Sequence, residues 1–149
     1  MDIRATTAAI RSHAMTIGQF ERVLGHEPKS TPGKGLTLAM FADTIRPVPS
    51  SGLASTSVLM VFQERIYFPM LSKPEDDIDI RIMEAVDALM GEYIQNLTLG
   101  GLVRTVDLMG IHGVGLSARA GYVEQDKIVF RAMTITLPVI VNDAWAQVA

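Results

Sequence analysis

The residues in this chain that could do chemistry are few and far apart. Its three histidines, His13, His26 and His112, fall on different predicted elements, and there is no cysteine to join them. Zinc sites draw on paired ligands at short spacing. No such pair occurs, so the sequence predicts no metal and no cofactor. His112, between Ile111 and Gly113, reads as a solvated loop residue. Asp76, Asp77 and Asp79 could in principle hold magnesium or act as general bases. Their position at the start of a predicted helix already accounts for them, because carboxylates there face the positive end of the helix dipole. Gly113-Val-Gly115-Leu-Ser-Ala118 matches a loose dinucleotide fingerprint. That motif works only where a strand passes into a helix whose N-terminus meets a pyrophosphate, and here a strand is expected to follow. Gly33-Lys34-Gly35 lacks both the upstream glycine and the following Ser/Thr of a phosphate loop, and no serine occupies a Gly-x-Ser-x-Gly elbow. Without the usual parts for nucleophilic, acid–base or phosphoryl chemistry, the sequence predicts no enzyme. Spacing is blind only to a pocket assembled from distant residues.

Composition narrows the classes further. At 149 residues the chain has the length of one domain and can bury roughly 70% of its extended surface. With 48% apolar and 19% charged residues it is not a disordered chain. A mean hydropathy of +0.27 is high for a soluble monomer of this size. Either the core is very compact, or a second apolar surface is covered by another subunit. No apolar run approaches the roughly 20 residues of a membrane helix, and Met1-Asp2-Ile3-Arg4 does not open a signal peptide. No membrane partner is expected, and the lack of cysteine suits a reducing cytoplasm. The net charge of −3, with signs interspersed, offers no basic stripe for phosphates, so no specific nucleic-acid binding is expected.

The hydrophobic pattern predicts the elements. Asp2 is a candidate N-cap for a helix to about Ile17, with Ile3, Ile10, Ala14 and Ile17 on one face and Gly18 closing it. Phe20–Leu24 reads as a short strand and residues 25 to 35 as a loop. Leu36, Leu38, Met40 and Ala42 alternate with Thr37, Ala39, Phe41 and Asp43, as in a strand buried mainly on one side. After a second loop, 47 to 57, alternation resumes from Val58 to Ile66, apolar on both faces at first and on one later, as if running towards an edge. Ile78, Ile82, Val86, Leu89 and Tyr93 mark a second helix. Ser72 and Glu75 have capping-box spacing before it, and Asn96 with Gly100-Gly101 follows its end. Leu102–Met109, Leu116–Glu124 and Ile128–Val141 read as strands, the last two joined by a hairpin at Gln125-Asp126-Lys127. The sum is a single α+β domain, residues 1–149, with a mostly antiparallel sheet covered by two α-helices.

Apolar residues in unexpected places suggest a subunit interface. Tyr67-Phe68-Pro69-Met70-Leu71 lies past a strand, in a segment that proline keeps out of a sheet. Pro138 cannot donate a ladder hydrogen bond, so the last strand is expected to be broken or at an edge there, with Val139-Ile140-Val141 after it and Trp145 beyond the strand. These segments either fold back on their own core or contact a neighbouring copy. On the second view Phe68, Met70, Leu71, Ile140 and Trp145 are the candidate interface residues.

Several stretches together carry a resemblance. Arg46-Pro-Val-Pro-Ser-Ser-Gly-Leu-Ala-Ser-Thr-Ser57, Ala88-Leu-Met-Gly-Glu-Tyr93, Leu99-Gly-Gly-Leu-Val-Arg-Thr-Val-Asp-Leu108, Leu116-Ser-Ala-Arg-Ala-Gly-Tyr122 and Met133-Thr-Ile-Thr-Leu-Pro-Val-Ile-Val-Asn-Asp-Ala-Trp145 resemble the tail terminator proteins of long-tailed bacteriophages, in particular those infecting actinobacteria. The similarity is one of overall pattern from about Ile3 to Trp145, without a catalytic signature. It implies a small α/β virion protein, made in the host cytoplasm, that forms a homo-oligomeric ring, typically a hexamer. Such a ring caps the finished tail tube at its head-proximal end, stops polymerisation and offers the head-joining surface. The implied partners are the major tail-tube protein and a head-closure or neck protein, with DNA passing through the lumen. A mildly acidic chain suits that passage. The alternatives are a head-closure or tail-tube subunit, or a small-molecule-binding domain or enzyme using a cleft between the second helix and the sheet.

Overall fold

Asp2 caps the first helix as its residue type predicts: its carboxylate accepts the backbone N–H of Ala5 at 2.9 Å. In the computed structural model, which describes residues 1–49 and 54–148, α1 spans Ile3–Thr16. Gly18, at φ +68°, then turns the chain out of the helix. The buried stripe is Thr6, Ile10 and Ala14. Ile3 is not part of it, because it stands at the helix start beside the edge residues Ala42 and Ile45.

Six strands follow in one curled, mixed sheet: β1 (Arg22–Leu24), β2 (Thr37–Pro47), β3 (Ser55–Pro69), β4 (Thr105–Val106), β5 (Ser117–Gln125) and β6 (Ile128–Ala146). Their order is β1-β2-β3-β6, after which β4 and β5 share the far side of β6. All pairs are antiparallel except β1 with β2. The architecture is α+β. Both helices lie on one face, where Ile10 and Ala14 of α1 and Ile82 and Leu89 of α2 (Ile78–Gln95) join Leu38, Met60, Phe62, Ile66, Leu137 and Val139 in the main core. Every residue of the expected α2 stripe is buried. No helix among the described residues is long and apolar enough to cross a membrane.

Several local expectations fail for physical reasons. Leu36 to Met40 are buried on both faces, because Leu36, Leu38 and Met40 join the main core while Ala39 packs with Tyr67 and Phe130. A bulge between Ala42 and Thr44 then ends the alternation. Instead of running to an edge, β3 is central, and its pairing with β6 carries it through Tyr67 and Phe68 to Pro69. Residues 50 to 53 of the second loop lie outside the described residues. The Ser72–Glu75 capping box does not form. A single 3₁₀ turn, Glu75–Asp77, delays the helix to Ile78, and Glu75 pairs with Lys73 instead. The strand expected over Leu102–Met109 contracts to two residues, since turns at Gly100 and Gly101, both at positive φ, satisfy the local backbone.

Pro138 does not break β6. In a strand the N–H and C=O of one residue point to the same side, and the Pro138 carbonyl accepts Asp107 N at 2.9 Å. The missing donor therefore faces Asp107, whose carbonyl takes Leu116 N at 3.2 Å in its place. The proline sits where β5 leaves the sheet and β4 joins it, the one point at which no ladder bond is lost. The hairpin after β5 has Asp126 and Lys127 both at positive φ, the geometry of a two-residue turn.

Candidate functional site

The five interface candidates separate. Phe68 is buried within β3, and Ile140 is buried in a cluster with Val48, Leu59 and Val61 on the face of the sheet away from the helices. Both belong to the subunit's own core, so neither offers interface surface; long-range pairing of β3 with β6 draws them in. Met70 is half-buried in a turn, and its N–H reaches Val129 O at 3.3 Å. Leu71 is 89% exposed. Trp145, expected beyond the last strand, lies within β6 opposite Thr56 and is 42% exposed. Leu71 and Trp145 are thus the two with substantial free surface.

A more prominent apolar feature is the loop between β4 and β5. Met109 and Ile111 are 86% and 81% exposed, yet the loop beneath them is braced. Asp107 is buried and its carboxylate accepts Ile111 N at 2.9 Å and His112 N at 3.0 Å. Arg46 Nη2 donates to His112 O from β2. Gly110 and Gly115 let the loop cross itself: a Cβ on Gly115 would stand 2.7 Å from Leu108 O and 2.9 Å from Gly110 N. Gly115, the second glycine of the stretch that imitates a dinucleotide motif, serves this crossing, and strand β5 follows it. His112 lies in this loop, as its position suggests, half-buried and with its backbone tied at both N–H and carbonyl.

The face of the sheet opposite the helices carries an open groove of about 620 Å³. Its floor is a lattice of cross-strand polar pairs. Gln63 donates to Asp43 at 3.1 Å and receives Thr136 at 3.2 Å, and Arg65 Nε donates to Thr134 at 3.0 Å. Register sets Arg65, Thr134 and Arg119 in one row across β3, β6 and β5. Arg65 leans over the Phe41 ring, 5.4 Å from its centroid.

The sheet has two unlike free edges. Beyond Ala39, β2 pairs only with β3, and β5 pairs only with β6 along its whole length. At the start of α2, Asp79 pairs with Arg131 at 2.8 Å, which holds the Asp79 carboxyl below its ordinary range. Arg131 in turn covers the Tyr122 ring of β5 at 4.6 Å.

Sequence reasoning missed one cluster altogether. Glu64 of β3 is fully buried on the helix-covered face, and Tyr93 of α2 donates to its Oε1 at 2.7 Å. His13 of α1 stacks on Tyr93, centroids 5.3 Å apart, and its Nε2 lies 3.2 Å from Asn96 Nδ2. Burial pushes the Glu64 acid up to about 8, the tyrosine bond opposing it only in part. Burial, with the Glu64 charge, likewise raises Tyr93 well above its ordinary value. Burial lowers His13, against a partial pull upwards from Glu92. The signal was present: period-2 alternation puts Glu64 on the same face as Phe62 and Ile66.

Among the described residues no group of three His, Cys, Asp or Glu is placed to hold a metal ion. The chain matches no protein-family model and no curated protein.

Proposed function

We propose that this chain is a subunit of a closed homo-oligomeric ring, of hexameric type, that caps the tail tube of a long-tailed bacteriophage. The ring ends tube polymerisation and presents the surface to which the head is joined. The sequence resemblance supplies the phage role. The observation that best supports a ring is the pair of unlike free edges on one sheet. An unpaired strand edge is a template for another chain. Contact between two different patches is heterologous, and it closes into a ring when the rotation between neighbours permits. Leu71, Trp145, Met109 and Ile111 add exposed apolar surface of the kind that interfaces cover. On this reading the tube protein and a neck protein meet the two faces of the ring, and DNA passes through its lumen. Electron microscopy of the purified protein, alone and with polymerising tube protein, tests it. Closed rings and tubes of limited length are expected; open filaments of this chain alone favour a tube subunit instead.

A second reading rests on the groove, which lies on the face opposite the one expected for a cleft. Its arginines and hydroxyls suit a small polar ligand. A rise in melting temperature with cellular metabolites tests that reading.

A further inference from the structure

Glu64 occupies a place where a carboxylate has almost nothing to sustain its charge. Its neighbours in register on the same face are Met40 of β2 and Ile135 of β6, both buried and apolar. From α2 it meets the Tyr93 hydroxyl. From α1 it meets His13 only through the Tyr93 ring, with Glu92 the charge nearest that histidine. Among the described residues Glu64 Oε2 and His13 Nδ1 are buried with no hydrogen-bond partner. An ion enclosed in apolar surroundings without a counter-charge is strongly disfavoured, so the acid keeps its proton. Burial lowers His13, so at and above its ordinary value of 6.5 it is neutral and cannot supply the missing charge. The four residues also span the whole seam between layers: β3, both helices, and Asn96 at the end of α2.

We propose that the Glu64–Tyr93–His13–Asn96 chain is a latch whose hold of the two helices on the sheet depends on a proton. The strands are bonded to one another through their backbones, while at this level the helices hold the sheet only through side chains. Ionised Glu64 must find water, and the nearest way is to part helix from sheet, a local opening that leaves the strands paired. The sign follows from linkage. The acid is raised in the closed state, so the latch is strongest below pH 4.5 and weakens steadily until about pH 8. Neutral pH lies on that slope.

The test is amide hydrogen exchange across that range, corrected for intrinsic rates, on the wild-type chain, Glu64→Gln and Tyr93→Phe, with infrared detection of the protonated carboxyl. In the wild type, protection of α1 and α2 is expected to fall by up to about tenfold per pH unit and to lie well below that of β3 and β6 at every pH, because the helices part while the strands stay paired. Glu64→Gln should abolish the fall above pH 6.5, where His13 no longer titrates, and remove a carboxyl band that persists above pH 6. Tyr93→Phe, which deletes the bond that favours the ion, should move the band's disappearance to higher pH. The proposal fails if Glu64→Gln keeps the wild-type fall above pH 6.5, or if strands and helices share one level of protection, which would mean that they open only together. It also fails if no protonated carboxyl is present at pH 6, a measurement that stands even should Glu64→Gln not fold.

Discussion

Replacing Asp107 by asparagine should loosen the loop that presents Met109 and Ile111 while leaving the sheet intact. The carboxylate is 3% exposed and accepts two backbone N–H groups, at 2.9 and 3.0 Å. Asparagine keeps one oxygen but turns an NH₂ towards the second N–H, so one buried donor loses its acceptor. A hydrogen bond to a charged group contributes about 1.5–3 kcal/mol, and stranding a buried donor costs about 1–3 kcal/mol. A destabilisation of about 2 kcal/mol is therefore expected, which lowers the melting temperature of a chain this size by about 4–8 °C. The loss should be local: the amides of Ile111 and His112 should exchange faster while those of β3 and β6 keep their protection relative to the global stability. On the ring reading the variant should also assemble less tightly, because a pre-ordered loop spares the ordering cost of association. Calorimetry and hydrogen exchange read the first two effects, and light scattering the third. If Asp107→Asn melts within a degree of the wild type and the two amides stay protected, the carboxylate is not the brace described here.

The glycines of the same loop give a matched pair: Gly115→Ala pushes a Cβ into backbone at 2.7 Å and should cost about 1–3 kcal/mol, whereas Gly121→Ala meets nothing within 4 Å and should stay within about 0.5 kcal/mol, by urea unfolding. Trp145→Ala should leave the subunit's melting point nearly unchanged and weaken assembly in light scattering; a sharp fall in the monomer's melting point would return Trp145 to the core. The unfolding free energy of the wild type in urea should fall from pH 6.5 to about 8 by at most about 1.4 kcal/mol per unit and then level off, whereas that of Glu64→Gln should stay flat there; below pH 6.5 the lowered His13 adds stability with rising pH in both.

Local pattern carried the local structure. The α2 stripe, the Asp2 cap and the Asp126-Lys127 hairpin each depend on residues within a few positions, and each forms. Apart from the Ser72–Glu75 capping box and the shortened strand after Gly101, what failed depended on partners distant in the chain. Pro69 and Pro138 were read as sheet breakers because each lacks a donor, yet β3 and β6 pair over their length and the Pro138 gap faces a carbonyl that Leu116 fills. That pairing is also why Phe68 and Ile140 lie inside. The Asp107 brace lies inside a stretch that reads as a strand, Leu102–Met109, and the glycine crossing of residues 110 to 115 brings together backbone groups that no spacing rule describes. Glu64 was visible on the apolar face by its period, but its link to Tyr93 and His13 joins three elements no spacing connects.

The central claim is that copies of this chain close into a ring, and mass-resolved light scattering with negative-stain microscopy over a range of concentrations, with and without tail-tube protein, tests it most directly. A single closed species of fixed subunit number, seen free or seated on tube ends, is the predicted result. A monomer at every concentration in both settings contradicts it.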